Sequence, residues 1–243
     1  MGIGRKIVTT ALRAGSKRRN RILLYHRVVD DHFGTLPEAS ITRSAFAAQL
    51  AYLARHHDVV DLETLLAERA TRQNMVAITF DDGFEDNFRN AYPLLQEYGM
   101  PATVFAVSDY IGTDRRFRWA PEERVLTAAE LRQLDAEGMR IEAHTATHAR
   151  LSDLSGEALA DELQRSKSAL EQVLGRPVRI LAYPFGERGD FNEETKRAAR
   201  EAGYACALAA YRGTVDAATD EFSVPRLPSP ENFDRFAMRL ARY

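Results

Sequence analysis

The 243-residue chain has a single cysteine, Cys206. One thiol excludes an intramolecular disulfide framework and a thiolate metal cluster. It lies in the apolar run Tyr204-Ala205-Cys206-Ala207-Leu208 and reads as a buried core thiol. No apolar run approaches the ~18 residues of a membrane-spanning helix, so none is expected. Neither sign of charge is in excess: 33 basic residues face 35 acidic ones, for a net charge of −2. That balance gives no footing for a nucleic-acid partner. No internal repeat, low-complexity tract or linker divides the sequence. With 45% hydrophobic residues the chain can fill one large domain.

The N-terminus has basic residues on both sides of a short apolar run. Arg5 and Lys6 precede residues 7–12, and Arg13, Lys17, Arg18, Arg19 and Arg21 follow. A secretory signal carries its charge mainly before the apolar run. Residues 1–20 therefore read as a basic amphipathic helix able to touch an anionic membrane surface, or as a solvated basic leader. The placement this implies is cytoplasmic or membrane-peripheral.

What is present is a regular alternation. Strand-like runs fall at 21–26, 59–60, 75–80, 102–107, 140–143, 179–183 and 204–208, with a further one at 222–224. Helical patterns fall between them. Phe46, Leu50 and Leu53 share one face of a helix beginning at Ser44, and Asp61 caps a helix over 62–69. Further helices are expected over 84–98, from Thr127 to Gly138, over 155–174, over 192–202, and from about Pro230 onward. Thr127 and Glu130 form a capping-box pattern. Near-continuous apolar strands separated by helices indicate a parallel α/β fold, either a barrel or an open doubly wound sheet.

In both architectures the working face lies where strands open into loops at their C-terminal ends. Those ends carry His26, Asp81-Asp82, His144 and Pro184-Phe185-Gly186. A barrel brings all of them to one rim. In His144-Thr145-Ala146-Thr147-His148 the histidines are four apart, which on a helical turn sets both imidazoles toward one point. With one carboxylate they supply N/O ligands suited to Zn²⁺. The bland alternative is a His-x-x-x-His on a solvated helix. Asp81 and Asp82 diverge on an extended strand, but a turn at Gly83 relaxes this. One could then bind metal while the other holds the water. Capping of the helix from Phe84 is compatible with that division.

Thr79-Phe80-Asp81-Asp82-Gly83 followed by His144-Thr145-Ala146-Thr147-His148 resembles the first two motifs of the polysaccharide deacetylases, the NodB-homology domain of carbohydrate esterase family 4. The resemblance runs from about Arg21 to Pro228. It implies a single-domain α/β fold over 21–243, a distorted (β/α) barrel of about seven parallel strands. It also implies a divalent metal, Zn²⁺ first, with Co²⁺, Ni²⁺ or Fe²⁺ as alternatives. The activity it implies is removal of N-acetyl groups from amino sugars of an N-acetylated glycan. By position, Asp81 would be the general base, and Asp82, His144 and His148 the metal ligands.

The third family motif corresponds to Ala182-Tyr183-Pro184-Phe185-Gly186. There the Phe185 backbone N–H would hold the oxyanion. The family arginine that steadies the catalytic aspartate is replaced by Ala182. Arg226, at another strand end, is a candidate substitute, with a surface arginine as the alternative. The family's C-terminal Leu-x-His is also missing, since no histidine follows His148. Leu24-Tyr25-His26 has the same form at the end of the first strand. This resembles the permuted order of the biofilm poly-N-acetylglucosamine deacetylases and would make His26 the general acid; a buried histidine bonded to backbone is the alternative. Tyr110, Phe117 and Trp119 could stack on sugar rings or anchor their loop. Two other readings remain at this stage: a catalytically silent carbohydrate-binding barrel, and an O-acetyl esterase or non-sugar amidase on the same site.

Overall fold

The computed structural model describes residues 19–32, 36–37 and 39–243. The expected basic helix or leader at 1–20 falls almost wholly outside them. In chain order the strands are β1 (Arg21–Tyr25), β2 (Arg27–Val29), β3 (Ser40–Thr42), β4 (Asp58–Val59), β5 (Met75–Phe80), β6 (Ala102–Ala106), β7 (Met139–Ala143), β8 (Ile180–Ala182), β9 (Cys206–Leu208) and β10 (Leu227–Pro228). The α-helices are α1 (Arg43–His56), α2 (Leu62–Glu68), α3 (Tyr92–Tyr98), α4 (Ala128–Ala136), α5 (Gly156–Leu174), α6 (Glu193–Glu201) and α7 (Phe233–Arg242). Among the described residues no helix is long and apolar enough to cross a membrane.

The sheet runs β10-β1-β5-β6-β7-β8-β9, with β4 added beside β5 and every pairing parallel. It curls into a half-barrel of seven parallel strands, the distorted barrel expected. The first strand lies between the fifth and the last: Leu23 pairs with Ile78 on one side and Leu227 on the other. One segment stitches the two edges together. Val224 exchanges hydrogen bonds with Ala207 and Ala209 beside β9, and four residues later Pro228 pairs with Leu24 of β1. The last strand is therefore Leu227–Pro228, not 222–224, where Val224 makes only a single bridge to Leu208. Pro225 and Pro228 interrupt the apolar pattern here and shift its apparent position.

Two apolar layers follow from side-chain alternation. Leu23, Tyr25, Val76, Ile78, Phe80, Val104 and Ile141 belong to the larger core, together with helix residues such as Phe46, Leu50 and Leu163. Ile22, Ala77, Phe105, Ile180, Ala182, Cys206 and Leu208 form a second cluster on the inner side of the curl. Cys206 is buried there as expected, and burial pushes its thiol up to about 12. Counting by twos from Ile22 and Ala77 reaches His26 and Asp81. The site residues thus continue the inner face past the strand ends.

The helix expected over 84–98 is present with a π-helical stretch at Asn87–Ala91 feeding α3. Such stretches often accompany functional sites. A small parallel pair, β2 with β3, escapes sequence reading because each strand has only three residues. His57 follows α1 as its C-cap. Burial pushes it down to about 4, and its Nδ1 lies 3.1 Å from Asn74 Oδ1.

Candidate active site

Asp81 leaves β5 with its N–H donating to Tyr25 O at 3.0 Å, so β1 still holds the backbone as the side chain enters the site. The next two residues turn sharply: Asp82 has φ 71° and Gly83 φ 70°. Aspartate tolerates this left-handed region better than most side chains. The turn swings the Asp82 carboxylate back beside that of Asp81. Neither carboxylate caps the following helix, whose N–H groups donate elsewhere.

The His144–His148 segment is not the helical turn expected. His144 follows β7, and Thr145 (φ 65°) and His148 (φ 62°) both adopt left-handed backbone, which folds the loop on itself. Thr145 Oγ1 accepts the His148 N–H at 3.1 Å. The convergence nevertheless holds. His144 Nε2 lies 3.6 Å and His148 Nε2 3.3 Å from Asp82 Oδ1. The three donor atoms lie within 4.8 Å of one another. His144 Nδ1 lies 2.8 Å from the carbonyl of Ala182, which can only accept. Nδ1 therefore carries the proton, and the Nε2 lone pair faces the carboxylates.

Asp82 Oδ1 is buried with no hydrogen-bond partner. A buried, unpartnered carboxylate oxygen is costly unless a cation completes it. One carboxylate oxygen and two neutral imidazole nitrogens form the donor set of a mononuclear divalent-metal centre. These residues fit such an ion.

Asp81 has a cation of its own. Arg226, fully buried, forks its carboxylate: Nη1 donates to Oδ1 at 2.6 Å and Nη2 to Oδ2 at 2.7 Å. Nε donates to Ala209 O at 2.9 Å, and the guanidinium lies 5.5 Å from the centre of the Phe105 ring. Arg226 is thus not a surface arginine. It stands just before β10 rather than at a strand end, and the length of its side chain carries the fork to Asp81.

The charges follow from these contacts. Burial opposes ionisation of Asp81, but Arg226, with His144 and His26, outweighs it and holds the carboxyl down to about 2. Asp82 moves the other way, raised well above the usual range by burial and by the Asp81 charge. Burial pushes His144 down against the pull of Asp81. It pushes His148 down to about 3, with His144 adding to the effect. His26 falls to about 4 through burial, opposed by Asp81 and reinforced by Arg226 and His144. These imidazoles are neutral at pH 7, the form that binds metal.

His26 follows β1 on the same inner parity. Its carbonyl accepts from Asn87 Nδ2 at 2.8 Å, and its ring stands edge-on to Trp119 with centroids 6.0 Å apart. Phe117 packs edge-on to His148 at 5.2 Å. The aromatic loop is anchored, since Phe117 and Trp119 pack with Phe84, and the same rings stand beside His148 and His26. Phe185, three residues past β8, has φ 62° and a half-exposed ring 5.1 Å from that of His148. The geometry brings His26, Asp81, Asp82, His144, His148, Phe185 and Arg226 to one rim.

Sequence reasoning missed the residues behind this rim. Arg27, fully buried, donates through Nε to Asp86 at 3.1 Å and pairs with Glu122 and Glu123. Glu162 of α5 is a buried carboxylate on an apolar helix face. Each had one legible signal, a charge inside an apolar pattern.

The buried carboxylate–imidazole cluster thus lies at the rim of a parallel half-barrel, with a donor set that a divalent ion would fit. The polysaccharide deacetylase family profile matches residues 68–207, and this chain belongs to that family. It is 31% identical over 192 residues to YxkH of Bacillus subtilis (strain 168), assigned to the polysaccharide deacetylases; the match covers 75% of this chain and 61% of that one. The chain thus spans under two thirds of that relative's length. It is 24% identical over 215 residues to the poly-beta-1,6-N-acetyl-D-glucosamine N-deacetylase of Staphylococcus aureus (strain N315), covering 82% of this chain and 71% of the relative. Among solved structures, IcaB from Ammonifex degensii superposes with TM-score 0.79 at 22% identity, covering 94% of this chain and 99% of that one. The Streptococcus pyogenes deacetylase PplD in complex with acetate gives 0.78 at 22% identity, covering 92% and 98%. At these identities the superpositions speak for the fold alone.

Proposed function

We propose that this chain is a metal-dependent hydrolase that removes N-acetyl groups from the amino sugars of a polysaccharide. The observation that carries the reading is Asp82 Oδ1, buried without a partner and facing His144 Nε2 and His148 Nε2 at 3.6 and 3.3 Å. Asp82, His144 and His148 would hold a divalent cation, Zn²⁺ first by its donor preference. Such an ion supplies Lewis acidity, polarising a carbonyl and acidifying a water.

The chain's own residues divide the remaining work. Asp81, fixed by Arg226, is the base that takes the proton of the attacking water. A carboxylate held this low accepts a proton only from a strongly acidified donor, and the fork keeps it from turning away. The Phe185 N–H donates to the oxygen of the acetyl carbonyl as charge develops on it. His26, at the end of the first strand, takes the place of the missing C-terminal histidine and protonates the departing amine. It enters the reaction neutral, so the proton it delivers is the one Asp81 has taken from the water, passed on to His26 within the same turnover. Water adds to the carbonyl carbon, the C–N bond breaks, and the products are acetate and a free amino sugar.

The replacement of the motif-three arginine by Ala182 is the best support for a silent carbohydrate-binding barrel. The Arg226–Asp81 fork supports restored function instead, because a guanidinium reaches the same carboxylate from the segment just before β10. The test is acetate release from N-acetylglucosamine oligomers. Chelation should abolish it, and Zn²⁺ or Co²⁺ should restore it. Glycan binding without acetate release under any divalent metal would establish the silent barrel. Release from O-acetylated sugars alone would establish an esterase.

A further inference from the structure

α5 presents a stripe of buried residues to the rest of the protein: Leu159, Leu163, Ser166 and Leu170. Glu162 lies in the same stripe at 4% exposure. A carboxylate in that position is costly unless it has a specific partner. Its partner is the histidine loop. Glu162 Oε1 accepts the Thr147 N–H at 2.6 Å and the Thr147 hydroxyl at 3.0 Å. Arg165, one turn on, lies 3.6 Å from the other oxygen.

Thr147 directly precedes His148. The loop needs outside support because Thr145 and His148 are both left-handed, a conformation that non-glycine residues hold only when their surroundings impose it. On one side Ser108 N–H donates to Thr145 O at 3.1 Å and Asp109 N–H to Ala146 O at 2.9 Å. Arg165 ties Asp109 back to α5 through Nη1, at 2.7 and 2.6 Å from its two oxygens. That ion pair is partly exposed and contributes little. On the other side the buried Glu162 is the acceptor that fixes Thr147.

We propose that Glu162 is a positioning residue that sets the His148 imidazole toward Asp82. It acts through the Thr147 N–H and hydroxyl. The proposal rests on the metal reading above and extends it to α5. Without the acceptor, Thr147 N–H loses its partner in a part-buried loop, and the left-handed turn at His148 relaxes to recover one.

The experiment is Co²⁺ binding to the purified, chelator-stripped chain, followed by calorimetry and by the visible absorption of the bound ion. Three variants are compared with the wild type. Glu162→Met removes the acceptor but suits the apolar stripe, so the fold is retained. Glu162→Gln keeps an acceptor oxygen. Asp135→Asn weakens a structural pair with Arg176, 2.7 Å away at Nε; Asp135 accepts the Ile141 N–H within β7 and does not bond the Thr147–His148 segment. Glu162→Met is expected to lose about 10- to 100-fold in Co²⁺ affinity and to alter the absorption spectrum. Glu162→Gln is expected to lose less, and Asp135→Asn to bind as the wild type does. Unchanged affinity in Glu162→Met, or an equal loss in Asp135→Asn, overturns the positioning role while leaving the metal site standing. A wild-type chain that binds no divalent ion overturns the metal reading, and this proposal with it.

Discussion

Two groups of charged side chains lie on either side of His26, and they are built on opposite rules. Behind it, Arg27 joins Asp86, Glu122 and Glu123. The pairing continues outward through Arg89 with Glu85 and Glu123, and through Arg124 with Glu85 and Glu130. Each charge there has a partner of opposite sign. In front of it, Arg226 is forked onto Asp81, and Asp82 has no ion pair with an arginine or lysine and faces another carboxylate and two imidazoles pushed toward neutrality. The paired group fastens the aromatic loop to the barrel. The unpaired one is short of a cation at one defined point. Both are buried, so burial does not separate structural from reactive charge; what does is whether the partners close the account of charge.

The sharpest way to break the comparison is Asp81→Asn. The proposed base is lost, so acetate release should fall about 10²- to 10⁴-fold. The substitution also strands Arg226 without its carboxylate, and losing one partner of a buried pair costs about 3–5 kcal/mol. A second variant separates these effects. Asp81→Asn with Arg226→Met should recover most of the stability in urea titrations and none of the activity. If the double variant regains turnover, Asp81 is not the base.

Arg27→Met tests the other group. Its expected effect is on stability alone, about 3 kcal/mol or somewhat more, because Asp86 loses the cation that its burial requires. The loss should be the same in the metal-stripped and metal-loaded chain. pH gives a further handle. Burial first, and Glu123 with it, raises Asp86 to about 7 against the pull of Arg27. A carboxyl raised above its unfolded value of 3.8 binds protons more tightly in the fold. Its contribution therefore favours folding at low pH and weakens as pH rises from about 4 to 7. Asp86→Asn should flatten that part of the stability profile, measured as urea midpoints across pH. An unchanged slope would remove Asp86 from the account.

The difference between the groups also decides what could be read in advance. Asp81, His144 and His26 were legible because each follows an apolar run, and parity along a strand carries its inner face to the rim; Asp82 and His148 were legible through their spacing from Asp81 and His144. Arg226 was legible only as a candidate, since nothing local distinguishes a buried arginine from a surface one. The conformation of 144–148 was misread as helical because four-residue spacing suits a helix and two left-handed residues equally well. The partners of Arg27 were illegible for a different reason. They lie 59, 95 and 96 residues away in sequence, and no local pattern encodes such a meeting. β10 was displaced in the reading because Pro225 and Pro228 break its pattern.

The smallest effect is expected at the outer end of the paired group. Glu130 caps α4 in a box with Thr127 and also receives both Nη atoms of Arg124, at 2.9 and 2.7 Å. Those hydrogen bonds, Arg124 first, outweigh burial and lower its carboxyl to about 2. The sign is opposite to that of Asp86. A depressed carboxyl contributes stability above its unfolded value of 4.5 and loses it as pH falls through about 2. Glu130→Ala should cost about 1 kcal/mol at neutral pH, in the range of other lost caps, and nothing once the wild-type carboxyl is protonated. Urea midpoints of the two proteins should therefore converge as the solution is acidified. Parallel curves would mean that Glu130 acts by packing and not by charge. Outer charges of the paired group would then have to be separated from the buried Arg27–Asp86 contact that does the holding.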